Sequence, residues 1–484
     1  MKTLQHIFIL PLIAILASVA LGSCIEDGIS SSPADQPEFS TDTLQMGTIF
    51  TLRASPTHRF IVHNRHDKGI NISRISFADD PHGIFRMNVD GISAREFSNV
   101  EIRENDSIFI FVEATLPENG VNTPVDILAH IEFVTNGISS SLPVKVTGRD
   151  VVRLKGDTRF SGTSSLSSAK PYFITDSMVV EAGATLTIPA GAELYFHDKA
   201  RMVVHGSLVV DGSAEAPVNM TGDRTGFVAA SIPYELMSGQ WHGIEFTATS
   251  SANKISHASI RNSSTGLILI NATSTPSEPA LQIVNSQIRN TTEYTLLAIH
   301  SNVDAHGCEF TDASLGLVAL HGGNHTFSQC TFANYYLFSA IGGPALQFSH
   351  INSKDAEEVA DGEDPRPYLS ATIANSIIFG NGVELSHANL TDTDIYIHNC
   401  LLKSNGTDDD HFIQCIWGED PLYYTVRNEY LFDYRVKPES PAIAVGNSEF
   451  LSPLTSTDRF GTPRNATAPT LGAYEFTVPE PEEE

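Results

Sequence analysis

The sequence predicts an all-β chain: a parallel β-helix solenoid preceded by a small antiparallel β-sandwich. Three observations predict it. Seven segments anchored on Ala258, Ser286, Cys308, Cys330, Ser349, Ser376 and Cys400 carry the same residue types in the same columns. The anchors lie 28, 22, 22, 19, 27 and 24 residues apart, the drifting period that solenoids show when loops of unequal length leave one side. Ahead of them, short apolar runs separated by polar turns keep the different rhythm of antiparallel strands.

Strand geometry gives the columns their meaning. Side chains alternate between faces with a period of two, so the anchor and position +2 (Ile260, Ile288, Phe310, Phe332, Ile351, Ile378, Leu402) share one face. Position −3 (Ile255, Ile283, Ala305, Phe327, Leu346, Ile373, Ile397) is apolar with the wrong parity for that face, so a bend falls between −3 and the anchor. Position −1 (His257, Asn285, Gly307, Gln329, Phe348, Asn375, Asn399) is rich in Asn and Gly, which reach left-handed backbone most cheaply. Position +4 (Asn262, Asn290, Asp312, Asn334, Ser353, Gly380, Ser404) is mostly turn formers. Two short strands, a corner and a turn, repeated, are rungs of a parallel β-helix. A sandwich of ordinary hairpins would not keep one residue type per column.

The elements follow in chain order. Residues 1–23 read as an export signal, with Lys2 as the positive start, the run from Ile7 to Leu21 as the apolar segment, and Leu21-Gly22-Ser23 as the small residues before a cut. With Cys24 these residues resemble the lipobox of bacterial lipoproteins, which implies lipid attachment at Cys24 and a membrane-tethered chain. Ile25-Glu26-Asp27 resembles the acidic signal that sends lipoproteins of Bacteroidetes-type bacteria to the outer leaflet, and implies an outer-membrane address facing the cell exterior; a plain hydrophilic tether is the alternative. Residues 24–38 contain a run from Gly28 to Pro37 rich in Ser, Gly and Pro, the composition of a flexible tether.

Residues 39–150 hold the sandwich, with strand-like runs at Arg59 to His63, Ser107 to Val112, Val125 to Val134 and Leu142 to Val146. Its strings FIVHN, IEFVTNG and LPVKVTG resemble immunoglobulin-like domains of the abnormal-spindle and hydin type, which implies a spacer or docking module. Residues 151–432 form the solenoid. The punctuated strands from Pro171 to Gly222, followed by GQWHGIEF, resemble the N-terminal coils of the uncharacterised Bacteroidetes right-handed parallel β-helix repeat lipoproteins. Residues 433–476 resemble the closing segment of bacterial β-helix proteins, with Asp433, Pro438, Ser440, Pro441, Ala442, Gly472, Ala473, Tyr474 and Glu475 in order. Residues 477–484 are an acidic tail. With strands ~4.8 Å apart, roughly a dozen coils would stack over about 55 Å. Both ends then need covering, which assigns the sandwich to the first coil and the segment around Tyr474 to the last.

Composition limits the partners. A formal charge of −28 over 484 residues argues against nucleic acid and against an anionic membrane surface. Cys308 and Cys330 share a column and read as stacked buried thiols, while Cys400 and Cys415 are candidates for a bridge. No CxxC or paired-His spacing points to a metal, and no cofactor is expected.

Three functions are in play. A polysaccharide hydrolase needs carboxylates converging on one outer face. The nearest string, Asp408-Asp409-Asp410-His411, sits in a hydrophilic segment, and Ala305-His306-Gly307 lies some four coils away. A calcium-dependent lyase needs an acidic cluster with an Arg base; residues 355–368 hold carboxylates and Arg366, but between Pro365 and Pro367 in a single insertion. A binding or scaffolding module would use the insertions at residues 223–241, 355–368 and 405–411 as one lined side, with Trp241, Trp417, Tyr335 and Tyr336 as aromatic faces for an extracellular glycan. An accessory subunit would dock on an outer-membrane protein through the sandwich. Asp42-Thr43-Leu44, Asp106-Ser107-Ile108 and Asp176-Ser177-Met178 resemble a short O-glycosylation motif of these bacteria.

Overall fold

A solenoid has to turn its chain sharply once per coil, and the sequence places cheap left-handed residues at the corner. In the computed structural model His257, Asn285, Gly307, Gln329, Asn375, Asn399 and Gln414 all have φ between 45° and 67°. The structure describes residues 28–478 apart from 81, 225, 230–231, 275–277, 350–368 and 388. The export segment, Cys24, the acidic insertion at residues 355–368 and the end of the tail lie outside the described residues. The chain forms two compact units that divide between Asp150 and Val151.

The first unit is a sandwich of two sheets. One runs Glu38–Phe39, His58–His63, Ser107–Ala114, Phe85–Val89, Ile92–Ala94, and the other Leu44–Phe50, Ile138–Arg149, Val125–Thr135, Ile70–Ala78, Glu96–Phe97, with Val100–Ile102 also on Ile70–Ala78. Alternating residues such as Phe60, Val62, Ile110, Ile131, Phe133 and Val144 meet in one core. Not every pair is antiparallel. Ile138–Arg149 lies parallel to Leu44–Phe50, since most of the unit separates the two strands and no hairpin forces their direction. The Ser-rich stretch expected as a flexible tether up to residue 38 is fastened from Ile29 onward. Ser30 donates its amide to Gly69 O, Gln36 Nε2 donates to Thr135 O at 3.1 Å, and Asn136 Nδ2 donates to Ser32 O at 2.8 Å. Composition marked a linker here; these side-chain bonds to backbone turned it into structure.

The second unit is a parallel β-helix of three sheets, here called I, II and III. Among the described residues they hold eleven, eight and ten strands. Sheet I stacks Tyr172, Leu194, Met220, Ile260, Ile288, Phe310, Phe332, Ile378, Leu402 and Trp417 in register, one residue per coil. The Phe310 and Phe332 rings lie 5.5 Å apart and 8° from parallel. Sheet III carries the −3 column in the same way, from Ile255 through Ile283, Ala305, Phe327, Ile373 and Ile397 to Phe412. Because the inward columns are apolar, they merge into one continuous core.

One anchor was misplaced. Ser349 and its companions Leu346 and Phe348 belong to sheet II, where Leu346–Ser349 pairs with the strand at Val318 to His321. The coil after Cys330 continues at Ser376, through the pair Phe332 and Ile378. A sheet II strand has the same apolar alternation as the repeat, so sequence alone could not separate the two. The column instead gains Cys415 after Cys400, with Leu401 paired to Ile416. Cys308, Cys330, Cys400 and Cys415 are all free thiols, so the expected candidate bridge between Cys400 and Cys415 is not formed.

The closing segment also lies elsewhere than expected. Rather than covering the last coil, residues 423–476 run across the outer side of sheet I. Tyr474 Oη donates to Glu309, Ala473 N donates to Thr331 Oγ1 at 2.9 Å, and Gly472 N donates to Asn375 O at 2.8 Å. The physical reason is on the outward face: Ala333, Ile377 and Leu401 are apolar at both parities of their strands and are covered by Tyr423, Tyr434, Val436, Leu471 and Tyr474 as a second small core.

Candidate functional site

Two places gather acids and aromatics, and they differ in what their polar atoms do. Beneath the strap formed by the closing segment, Asp312 Oδ1 accepts from Tyr434 Oη at 2.5 Å and from Tyr335 N at 3.2 Å, while Arg289 stands 3.6 Å from its other oxygen. Burial pushes the Asp312 carboxyl up against the pull of Arg289 and Tyr434, and burial raises Tyr434 well above its ordinary value. Glu309 accepts from Tyr474, Gln287 and Thr311. Arg464, also buried, donates to Ala473 O at 2.8 Å. These groups are largely closed off from solvent, and their contacts fasten the strap to sheet I.

The other place is a notch at the far end of the solenoid. Among the described residues the last strand of sheet II is Leu346–Ser349, followed by a single parallel bridge from Leu346 to Leu385, whereas sheets I and III carry further strands. Loops pass where sheet II strands would stand, and the inward residues Leu402, Phe412 and Trp417 become the floor of a cleft of about 600 Å³. Its walls come from residues 382–387 and 403–409. Trp417 is the last member of the sheet I column, half-buried, with its indole Nε1 donating to Asp408 Oδ1 at 3.0 Å. Phe412 packs against it at 5.0 Å. Gly406 lies against the ring so closely that a Cβ there would fall 2.4 Å from it.

The acids of the notch are held by backbone. Glu384 accepts from the amides of Lys403 and Ser404, and Lys403 Nζ donates to Gly382 O at 3.1 Å. Asp409 Oδ1 accepts from His411 N at 2.8 Å and Phe412 N at 2.9 Å. The amide of Phe412, with that of His411, holds the Asp409 carboxyl below its ordinary range. A hydrolase needs an acid that keeps its proton near neutrality. Asp409 is shifted the other way.

Of the residues singled out in the sequence, the structure brings Asp408, Asp409 and Trp417 to the notch and disperses the rest. Trp241 is buried at 1% exposure, stacks on Phe196 at 4.1 Å and donates to Arg261 O, so it is core and offers no face. Tyr336 is buried and shares a hydrogen bond with Ser238, and Tyr335 packs on Tyr423 and Tyr434 beneath the strap. The insertion at residues 223–241 sits by sheet I, where Glu235 O accepts from Asn262 and Asn290, so the insertions do not line one side together. His306 faces Ser328 on sheet III, four register steps from Ile413, and burial lowers its pKa. Among the described residues no three His, Cys, Asp or Glu side chains converge as metal ligands would. Sequence reasoning missed Phe412 and the wall at residues 382–387. One signal was available: Gln414-Cys415-Ile416-Trp417, with Phe412 at −3, is a further repeat.

No known family model matches the chain, and no curated protein matches its sequence. Among solved structures, a family 123 glycoside hydrolase from Clostridium perfringens is similar at 10% identity over 26% of this chain and 26% of that one, with a TM-score of 0.19. A Porphyromonas gingivalis protein of unknown function is similar at 11% identity over 27% of this chain and 60% of that one, with a TM-score of 0.18. The ASH/PapD-like domain of human CEP192 is similar at 10% identity over 25% of this chain and 89% of that domain, with a TM-score of 0.17.

Proposed function

We propose that this chain is a non-catalytic binding or scaffolding module, a β-helix lipoprotein of the Bacteroidetes type, anchored through Cys24 in the outer membrane and facing the cell exterior. The observation that carries the binding reading is the notch, an apolar and aromatic floor ringed by a few polar groups, which is how ligand seats are generally built. The lipobox resemblance of Leu21 to Cys24 and the acidic residues Glu26 and Asp27 support the address. The polysaccharide-degrading alternative, lyase or hydrolase, has less support, because Glu384 and Asp409 spend their oxygens on backbone amides.

Expression in a Bacteroidetes host with labelled palmitate tests the anchor. The chain takes up label and trypsin removes it from intact cells, whereas Cys24→Ser takes up none; label on Cys24→Ser, or a wild-type chain that trypsin reaches only after lysis, contradicts the address. A second reading, an accessory subunit of an outer-membrane complex, is favoured by the exposed Phe109 at 44% and Phe111 at 36% on the sandwich. Pull-down from solubilised outer membranes tests it: a stoichiometric partner lost in Phe109→Ser/Phe111→Ser supports docking, and a partner retained by that variant contradicts it.

A further inference from the structure

The notch is shaped for a ligand longer than it is. On the other side of the segment Val383 to His387 lies a second cleft of about 650 Å³, lined by Tyr294, Leu315, Ile341 and Gln347, and the two clefts share Gly382, Val383, Leu385 and His387. That segment runs beside the final sheet II strand, with Ala345 N donating to Val383 O and Leu346 N to Glu384 O, both at 2.8 Å, so the ridge between the clefts is held by backbone. Val383 stands on it at 64% exposure. Two adjoining seats astride one fixed ridge fit an extended chain better than a compact molecule.

The chemistry of the walls narrows the class of chain. Ser404, Asn405 and Thr407 are exposed, and the Ser404 and Thr407 hydroxyls and the Asn405 side-chain amide take no hydrogen-bond partner among the described residues, so they are available to hydroxyl groups of a ligand. Tyr294 Oη already bonds Gln347 at 2.8 Å and extends the neutral polar lining into the second cleft. Charge excludes the anionic alternatives. Among the described residues, Glu384 and Asp409 line the notch against one Lys or Arg, Lys403, whose amine is turned to Gly382 O, and the whole chain carries −28. A uronate, sulfated or phosphorylated chain would meet like charge. Trp417, held by Asp408 at its edge and Gly406 against its ring, is pre-set as an apolar platform.

We infer that the paired clefts at the end of sheet II take a neutral, extended glycan, with Trp417 as platform and Val383 at the crossing point. This rests on the binding reading above. The chain has two tryptophans, and Trp241 is buried, so ligand-dependent fluorescence reports Trp417. The test titrates the full chain in detergent with gluco-, xylo-, manno- and galacto-hexaoses, the matching disaccharides and hexagalacturonate, with calorimetry alongside. At least one neutral hexaose shifts the emission saturably and binds about tenfold tighter than its disaccharide. Hexagalacturonate gives no saturable change. Trp417→Ala weakens the hexaose by about tenfold or more, while Val383→Asp weakens the hexaose and spares the disaccharide. Both variants keep the wild-type near-ultraviolet dichroism from Trp241, which separates lost binding from lost folding.

A panel in which no neutral hexaose binds, or hexagalacturonate binds tighter, or Trp417→Ala binds unchanged, overturns the inference. The two claims fail separately. A non-glycan ligand captured by wild type and lost in Trp417→Ala leaves the binding reading standing and removes the glycan. Shortened products from a hexaose, read by chromatography, remove the non-catalytic reading and leave the ligand class.

Discussion

The strap-covered side of sheet I and the notch at the end of sheet II are built from the same residue types and use them in opposite ways. Under the strap, Asp312, Glu309, Tyr434 and Tyr474 are buried, with Tyr434 donating to Asp312, Tyr474 to Glu309, and Arg289 paired with Asp312 at 3.6 Å. At the notch, Glu384 and Asp409 are bound to backbone while Ser404, Asn405 and Thr407 stay exposed. Acids and aromatics clustered in sequence or space do not mark a site by themselves. What separates the two regions is whether another piece of the described chain has taken the partners first: the strap does so on sheet I, and beyond the last described strand of sheet II no described segment does so at the notch.

The largest effect that would break this comparison is expected under the strap. Tyr434→Ala removes a buried ring and leaves Asp312 without its hydroxyl partner, and is expected to cost about 3–5 kcal/mol in urea unfolding. A loss below about 1 kcal/mol would mean that the strap is dispensable to the fold.

The next effect concerns a group inside the solenoid itself. His325 lies in an inward column between Val303 and Ala371, with one nitrogen bonded to Gly322 O. Burial drives its pKa from 6.5 down to about 4. Because the folded value is the lower one, the neutral form's stability is fully present above pH 6.5 and is lost as pH falls toward 4, where the loss reaches about 3 kcal/mol. His325→Leu is expected to flatten this part of the pH profile. A variant whose midpoint still falls as steeply as wild type between pH 6.5 and 4 would place the titration elsewhere.

The smallest effect belongs to the notch. Gly406→Ala must push the Trp417 ring aside, and is expected to cost about 1 kcal/mol while shifting tryptophan emission clearly. Emission that does not move would show that the ring is not fixed as described.

How much of this was legible in the sequence follows from where the information sits. The columns were readable because each coil repeats the same alternation and the same left-handed corner at His257, Asn285, Gly307, Gln329, Asn375 and Asn399. Ser349 slipped into the wrong column because a sheet II strand alternates like a sheet I strand, and only pairing with Val318 to His321 tells them apart. The strap's position could have been inferred from Ala333, Ile377 and Leu401, outward residues too apolar to face water, but their partner is set by chain reversal far along the sequence. The notch was the hardest feature to foresee, because it arises where, among the described residues, sheets I and III carry strands that sheet II does not match. Trp241 and Trp417 look alike as letters, and only three-dimensional packing gives them different roles: Trp241 is buried against Phe196, while Trp417 is the last member of its column among the described residues and lines the cleft.

Hydrogen–deuterium exchange on the full chain puts the comparison to its most direct test. Amides of Glu309–Ala313 are expected to exchange at the rate of global unfolding, while those of residues 405–408 exchange within seconds and slow when a neutral hexaose is added. Fast exchange at Glu309–Ala313, or slow exchange at residues 405–408 without ligand, would contradict the division between a covered structural face and an open seat.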